Sequence, residues 1–158
     1  MAATPAVRTL DRAKVPYTLH TYDAGHPVDT GYGEAAAAAL GADPRRLFKT
    51  LVTRVDGALT VAVVPVSGSL DLKALAAAAG GRRAVMAEPA DAERATGYVL
   101  GGISPIGQRT RLPTVVDESA LGFATVLVSA GRRGLQVELP AAELVRLTAA
   151  RTAAIGRC

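Results

Sequence analysis

The sequence predicts a domain of the α/β (α+β) class, compact, with a mixed, largely antiparallel sheet flanked by helices. Three observations predict it. Two β-rich runs, residues 47–55 and 59–66, are separated only by Asp56-Gly57, a dipeptide that favours tight hairpin turns. Helix-like stretches end at Gly41 and at Gly80-Gly81, where glycine can take the left-handed conformation that stops a helix. Strands and helices also succeed one another without the strict βαβ rhythm of an all-parallel sheet. At 158 residues the chain is expected to form one domain over 1–158, large enough to bury most of its apolar surface without disulfides.

The elements follow in order. Residues 4–14 place Ala6, Val7 and Leu10 on one helical side, and Pro16 then enforces extended backbone, so 15–22 reads as the first strand. Residues 30–40 carry an alanine run ending at Gly41 and read as a helix able to pack closely on a sheet. After the hairpin, Asp71 caps a helix reaching Ala79. A short strand over 84–87 and a helix over 89–95 come next. Residues 112–116, 123–129 and 135–139 supply further strands, and 140–150 is expected to close the domain as a helix with proline in its first turn.

Composition narrows the function. The single cysteine, Cys158, excludes an intrachain disulfide and a cysteine-based metal cluster, so no metal and no cofactor are expected. No secretory leader and no membrane-spanning run is read, which implies a cytoplasmic protein. The formal charge is +4, and only Lys14, Lys49 and Lys73 among the 18 basic residues are lysines. Arginine suits phosphate, yet a mild excess fits a polyanion partner and a merely solvated surface alike. With no tryptophan and few aromatics, a stacking surface for single-stranded nucleic acid is not expected.

Two features suggest a site. Lys49 lies mid-strand among apolar and small residues, sharing a face with Leu47 and Leu51, so it occupies either an open edge or a pocket where its amine can grip an oxygen. The segment Gly101-Gly102-Ile103-Ser104-Pro105-Ile106-Gly107 concentrates conformational freedom around one fixed φ and one hydroxyl, which suits a ligand-receiving loop and also a tight connection between strands. His20 and His26 have no serine beside them by motif, so a catalytic triad is not supported. Asp117 and Glu118 would point apart on a strand and suit capping better than acid–base chemistry. The arginines at 45–46, 82–83, 109, 111 and 132–133 fall between elements, and Gly31-Tyr32-Gly33 fits no phosphate-loop pattern.

Phe48-Lys49-Thr50-Leu51, Leu70-Asp71-Leu72-Lys73, the 101–107 loop and Ser129-Ala130-Gly131-Arg132-Arg133-Gly134-Leu135, taken in this order, resemble the YbaK family of Cys-tRNA(Pro) deacylases. That family falls within the superfamily of bacterial prolyl-tRNA synthetase editing domains, and the resemblance runs from about Thr4 to beyond Leu147. It implies a YbaK-type α/β fold and a trans-editing enzyme that hydrolyses mischarged Cys-tRNA(Pro) with help from the substrate thiol. An Ala-tRNA(Pro) deacylase and a non-catalytic module that binds aminoacyl-tRNA ends or nucleotides are the alternatives. Lys49 matches the family's essential lysine. The resemblance assigns substrate binding to Tyr22, Thr50, Gly101, Gly102, Ile103, Ser104, Pro105, Gly107, Ser129, Gly131 and Arg133. Gln136 stands where relatives can carry aspartate. The implied partners are the acceptor end of tRNA(Pro) and prolyl-tRNA synthetase in a ternary complex; no membrane is implied, and the protein is expected to be a monomer.

Overall fold

The computed structural model describes residues 3–23 and 31–157, with residues 31–34 described by backbone alone. Helix α1 (Pro5–Ala13) starts where the Thr4 hydroxyl accepts from the Val7 N–H, and it stops at Lys14, whose φ of 57° breaks the ladder. Strand β1 (Thr18–Thr21) begins two residues beyond Pro16, later than the sequence suggests. Helix α2 (Gly31–Leu40) ends at Gly41 with φ +65°, while its expected start at Thr30 lies outside the described residues, as do His26 and Cys158.

The hairpin of β2 (Phe48–Val55) and β3 (Ala58–Pro65) forms as predicted. Asp56 and Gly57 both have positive φ, 50° and 88°, which is the backbone twist that matches two right-twisted strands across a two-residue turn. Beyond it come β4 (Ser69–Leu70), α3 (Leu72–Ala78) capped by Asp71, β5 (Ala84–Met86) and α4 (Pro89–Thr96). The chain continues through β6 (Thr114–Asp117), β7 (Thr125–Arg132), β8 (Leu135–Pro140) and α5 (Ala141–Thr148).

The reading of 140–150 as the closing element is corrected here. Strands β9 (Arg151–Ala153) and β10 (Gly156–Arg157) follow α5, and Pro140 is the cap of that helix rather than part of its first turn. Such short strands carry no periodic signal. They form because the Asp117 carboxylate accepts from the N–H groups of Ile155 and Gly156, at 2.9 and 2.8 Å, and because β9 and β10 pair with β6 and β4.

Five strands form a mixed sheet in the order β5-β2-β3-β6-β9, antiparallel through β5, β2 and β3 and parallel from β3 to β9. A second sheet, β1-β8-β7, is antiparallel throughout. Strand alternation splits β3 between two apolar layers. Val61 and Val63 face α1, β7, β8 and α5, among them Leu10, Val128, Val137 and Leu144. Ala62 and Val64 pack with Leu75 and Ala76 of α3 and with Ile155.

This arrangement leaves half of one strand edge open. β3 pairs with β2 along its whole length, whereas β5 pairs only with Thr53–Val55. Across the β5 side, Ala87 N–H donates to the Val52 carbonyl and Asp56 N–H to that of Arg83; across the β3 side, Val66 N–H donates to that of Leu47. Alternation therefore turns the peptide groups of Thr50 away from β3, off the uncovered edge.

Candidate active site

The uncovered edge of β2 forms one wall of a cavity of about 220 Å³. Phe48, Lys49, Thr50 and Leu51 supply that wall. Leu100, Gly101 and Ile103 stand across it, and Ser129 of β7 with Gln136 of β8 complete the lining. Ser129 and Gln136 are register partners, so the two strands deliver them side by side.

The polar groups here are short of partners. The Lys49 amine makes no hydrogen bond or ion pair among the described residues, and no lining residue is acidic. Thr50 Oγ1 and Gln136 Oε1 are buried with no hydrogen-bond partner, and they are the two such side-chain atoms among the described residues. A buried polar atom without a partner costs about 1–3 kcal/mol, which makes two in one cavity the mark of a site that a ligand completes. The remaining amide end of Gln136 donates toward the Tyr22 hydroxyl at 3.5 Å. The Ser129 hydroxyl accepts from the Gly131 N–H at 3.2 Å.

The glycine-rich wall is held from behind. The Tyr98 hydroxyl donates to the Ile106 carbonyl at 2.7 Å, and burial pushes its pKa up to about 12. The Ser104 hydroxyl accepts from the Ile106 N–H at 3.2 Å, and Gln108 Nε2 donates to the Ser104 carbonyl. Arg133 Nε donates to the Leu100 carbonyl at 2.8 Å, tying the β7–β8 turn to the cavity mouth. Gly101 has φ +86°, a backbone that side chains beyond glycine rarely take.

The residues singled out in the sequence thus separate. Lys49, Thr50, Gly101, Ile103 and Ser129 meet in the cavity, with Tyr22 one contact away through Gln136. Arg133 reaches the rim through Leu100. Gly102, Ser104, Pro105, Gly107 and Gly131 do not line it. A Cβ on Gly102 would stand 2.8 Å from the Arg132 backbone, and one on Gly107 would stand 2.7 Å from the Pro5 carbonyl oxygen. Ser104 is fully buried, and Pro105 and Gly107 line a different cavity beside Thr9 and Arg111. A Cβ on Gly131 would meet the Tyr98 ring at 2.8 Å. Leu100 carried no signal in the sequence. Gln136 was marked in the sequence only through the resemblance, as standing where relatives can carry aspartate, and not as a substrate-binding residue.

Elsewhere, Glu138 accepts from the Thr125 hydroxyl at 2.7 Å, shares 3.0 Å with His20 Nε2 and pairs with Arg46. Those hydrogen bonds, with the Arg46 charge, hold its pKa below the usual glutamate value. His20 therefore belongs to a network bracing β1, β7 and β8, apart from the cavity. Among the described residues no group of His, Cys, Asp and Glu could hold a metal ion, and no helix is long and apolar enough to cross a membrane.

A small cavity at an open strand edge, largely apolar but holding an amine unpaired among the described residues and two orphaned side-chain oxygens, defines a class of protein that receives a compact group with a few polar atoms. The family model of the aminoacyl-tRNA editing domain matches residues 27–147, and the chain belongs to that family. It is 41% identical over 147 residues to EbsC of Enterococcus faecalis, whose name provisionally assigns Cys-tRNA(Pro)/Cys-tRNA(Cys) deacylase activity; the match covers 92% of this chain and 88% of that one. It is 30% identical over 122 residues to ProXp-y of Escherichia coli K12, named a multifunctional Ser/Thr-tRNA deacylase, covering 74% and 73% of the two chains. A solved structure described provisionally as a trans-editing enzyme for prolyl tRNA synthetase superposes with a TM-score of 0.81 at 26% identity, covering 100% of both chains. The hypothetical protein APE2540 superposes with a TM-score of 0.83 at 25% identity, over 97% of this chain and 99% of that one.

Proposed function

We propose that this protein is a cytoplasmic trans-editing deacylase that cleaves the ester joining cysteine to the terminal ribose of tRNA(Pro), with Lys49 as its catalytic residue. The observation that carries the reading is the Lys49 amine, without a partner among the described residues, in one cavity with the orphaned Thr50 hydroxyl and the Gly101 wall. The likeness to EbsC supports cysteine as the amino acid. By this reading tRNA(Pro) enters by its acceptor end, and prolyl-tRNA synthetase is the partner that presents it.

The chemistry needs no protein nucleophile. The cysteine thiol gives up its proton and its sulfur attacks the ester carbonyl carbon. A C–S bond forms, the C–O bond to the ribose breaks, and the ribose oxygen takes up a proton. The departing thiolactone is then opened by water to cysteine. Lys49 and the Thr50 hydroxyl hold the ester and stabilise the charge that gathers on its oxygens, while the cavity fixes the sulfur near the carbonyl. Lyase-like release followed by hydrolysis is the result.

A Ser- or Thr-tRNA deacylase is the second reading, favoured by the E. coli relative's name and by polar lining groups able to bond a substrate hydroxyl. One assay decides. The purified protein is incubated with tRNA(Pro) charged with cysteine, serine, alanine or proline, and ester loss is followed, with Lys49→Ala in parallel. Rapid loss confined to the cysteine ester, abolished in a folded Lys49→Ala protein, is the expected result. Equal loss of the serine or alanine ester would refute thiol assistance, and near-normal turnover by the variant would refute the role of Lys49.

A further inference from the structure

We propose that Gln136 reads the α-amino group of the aminoacyl ester, a role that rests on the deacylase reading above. Gln136 is 4% exposed on β8, flanked by the fully internal Leu135 and Val137, a costly place for an amide. Its register partners are Ser129 on one side and His20 on the other. Nε2 is directed toward the Tyr22 hydroxyl, which leaves Oε1 without a partner beside the cavity it lines.

The chemistry of the lining assigns what Oε1 meets. A protonated α-amine carries three donors and a positive charge, so it avoids Lys49 and needs an acceptor. Among the described residues no carboxylate lines the cavity, and the two orphaned side-chain atoms are Thr50 Oγ1 and Gln136 Oε1. The Thr50 hydroxyl has a proton of its own to give and suits an ester or ribose oxygen, whereas an amide oxygen only accepts. The amine therefore falls to Gln136. Its neutrality matters as well: a carboxylate at this point would draw the Lys49 charge to itself, while an amide leaves that charge for the ester.

The test pairs two substrates with two enzymes. tRNA(Pro) is charged either with cysteine or with 3-mercaptopropionate, which keeps the thiol and lacks the amine. Wild-type protein is expected to lose about ten- to a hundredfold in kcat/KM when the amine is absent, the scale of a hydrogen bond to a charged group. In Gln136→Met, near-isosteric and without the acceptor, that preference collapses to within about twofold, because the cysteine ester slows while the deaminated ester does not. Gln136→Glu keeps an acceptor and keeps the preference. Thermal melting verifies that each variant is folded, and Gln136→Leu supplies the same ratio should the Met variant be unstable.

An undiminished amine preference in Gln136→Met, or equal rates on both esters in the wild type, would overturn the role of Gln136 while leaving deacylation intact. Inertness of the wild type toward both esters would instead remove the deacylase reading and this role with it.

Discussion

Gly102 presses on the backbone of Arg132: a Cβ on the glycine would lie 2.8 Å from the Arg132 Cα and carbonyl carbon, and equally near the Arg133 nitrogen. The glycine wall of the cavity and the β7–β8 turn are thereby in backbone contact, and the Arg133 bond to the Leu100 carbonyl reinforces the seam. Backbone cannot rotate aside as a side chain does. Gly102→Ala must displace the wall, with an expected stability loss of about 1–3 kcal/mol and at least a tenfold fall in kcat/KM for deacylation. Denaturant melts beside steady-state kinetics check it; normal kinetics would show that the seam does not set the cavity.

Thr50→Val separates function from stability. Because Oγ1 is buried without a partner, replacing the hydroxyl by a methyl of similar shape removes an unsatisfied group, and the melting temperature should hold or rise slightly. Deacylation should fall about tenfold or more, since the hydroxyl is assigned to the ester oxygens. A variant that is both destabilised and fully active would contradict the assignment.

Asp117 latches the C-terminal strands. Burial acts to raise its pKa, but the Ser119 hydroxyl and the N–H groups of Gly156, Ile155 and Ser119 outweigh burial and hold it below the usual aspartate value. A depressed folded-state pKa means that this stabilisation is fully present above the unfolded pKa, near 3.9, and is lost as pH falls through the lower folded value. Asp117→Ala should cost about 3 kcal/mol at pH 7, with the gap from wild type narrowing below about pH 4. Urea melts at several pH values test this; a gap constant down to pH 2 would rule out the carboxylate as its source.

Gly57→Ala serves as a contrast, at the far end of β2 from Lys49. Nothing lies within 4 Å of the added Cβ, so only the φ of +88° is strained and the cost should be about 1–2 kcal/mol. Turnover on aminoacyl-tRNA should be unchanged once the protein is folded.

The fold was legible wherever local chemistry decides. Asp56-Gly57 placed the hairpin, and Asp71 and Gly41 marked helix ends, because caps and turns depend on a few neighbouring residues. Strands β4, β9 and β10 escaped because pairing with distant strands creates them, β9 on β6 and β10 on β4, with Asp117 holding the turn between β9 and β10. The site divided in the same way. The motifs containing Lys49 and Gly101 drew attention in the sequence, but a single run of loop residues could not reveal which face the cavity. Ser104, Pro105 and Gly107 sit within a few residues of Gly101 yet turn to the α1 side or the interior, because the Tyr98–Ile106 bond and the Pro5 backbone fix the path of the chain.

The sequence by itself determined the hairpin, the mixed α/β class and the family, all written in short-range patterns or ordered motifs. The tertiary structure decided what surrounds Lys49. The early end of β5 uncovers the β2 edge, β7 and β8 bring Ser129 and Gln136 to it, and burial strips Thr50 Oγ1 and Gln136 Oε1 of water without supplying protein partners. An orphaned acceptor is a relation among residues remote in the chain, and so it exists only once the chain has folded.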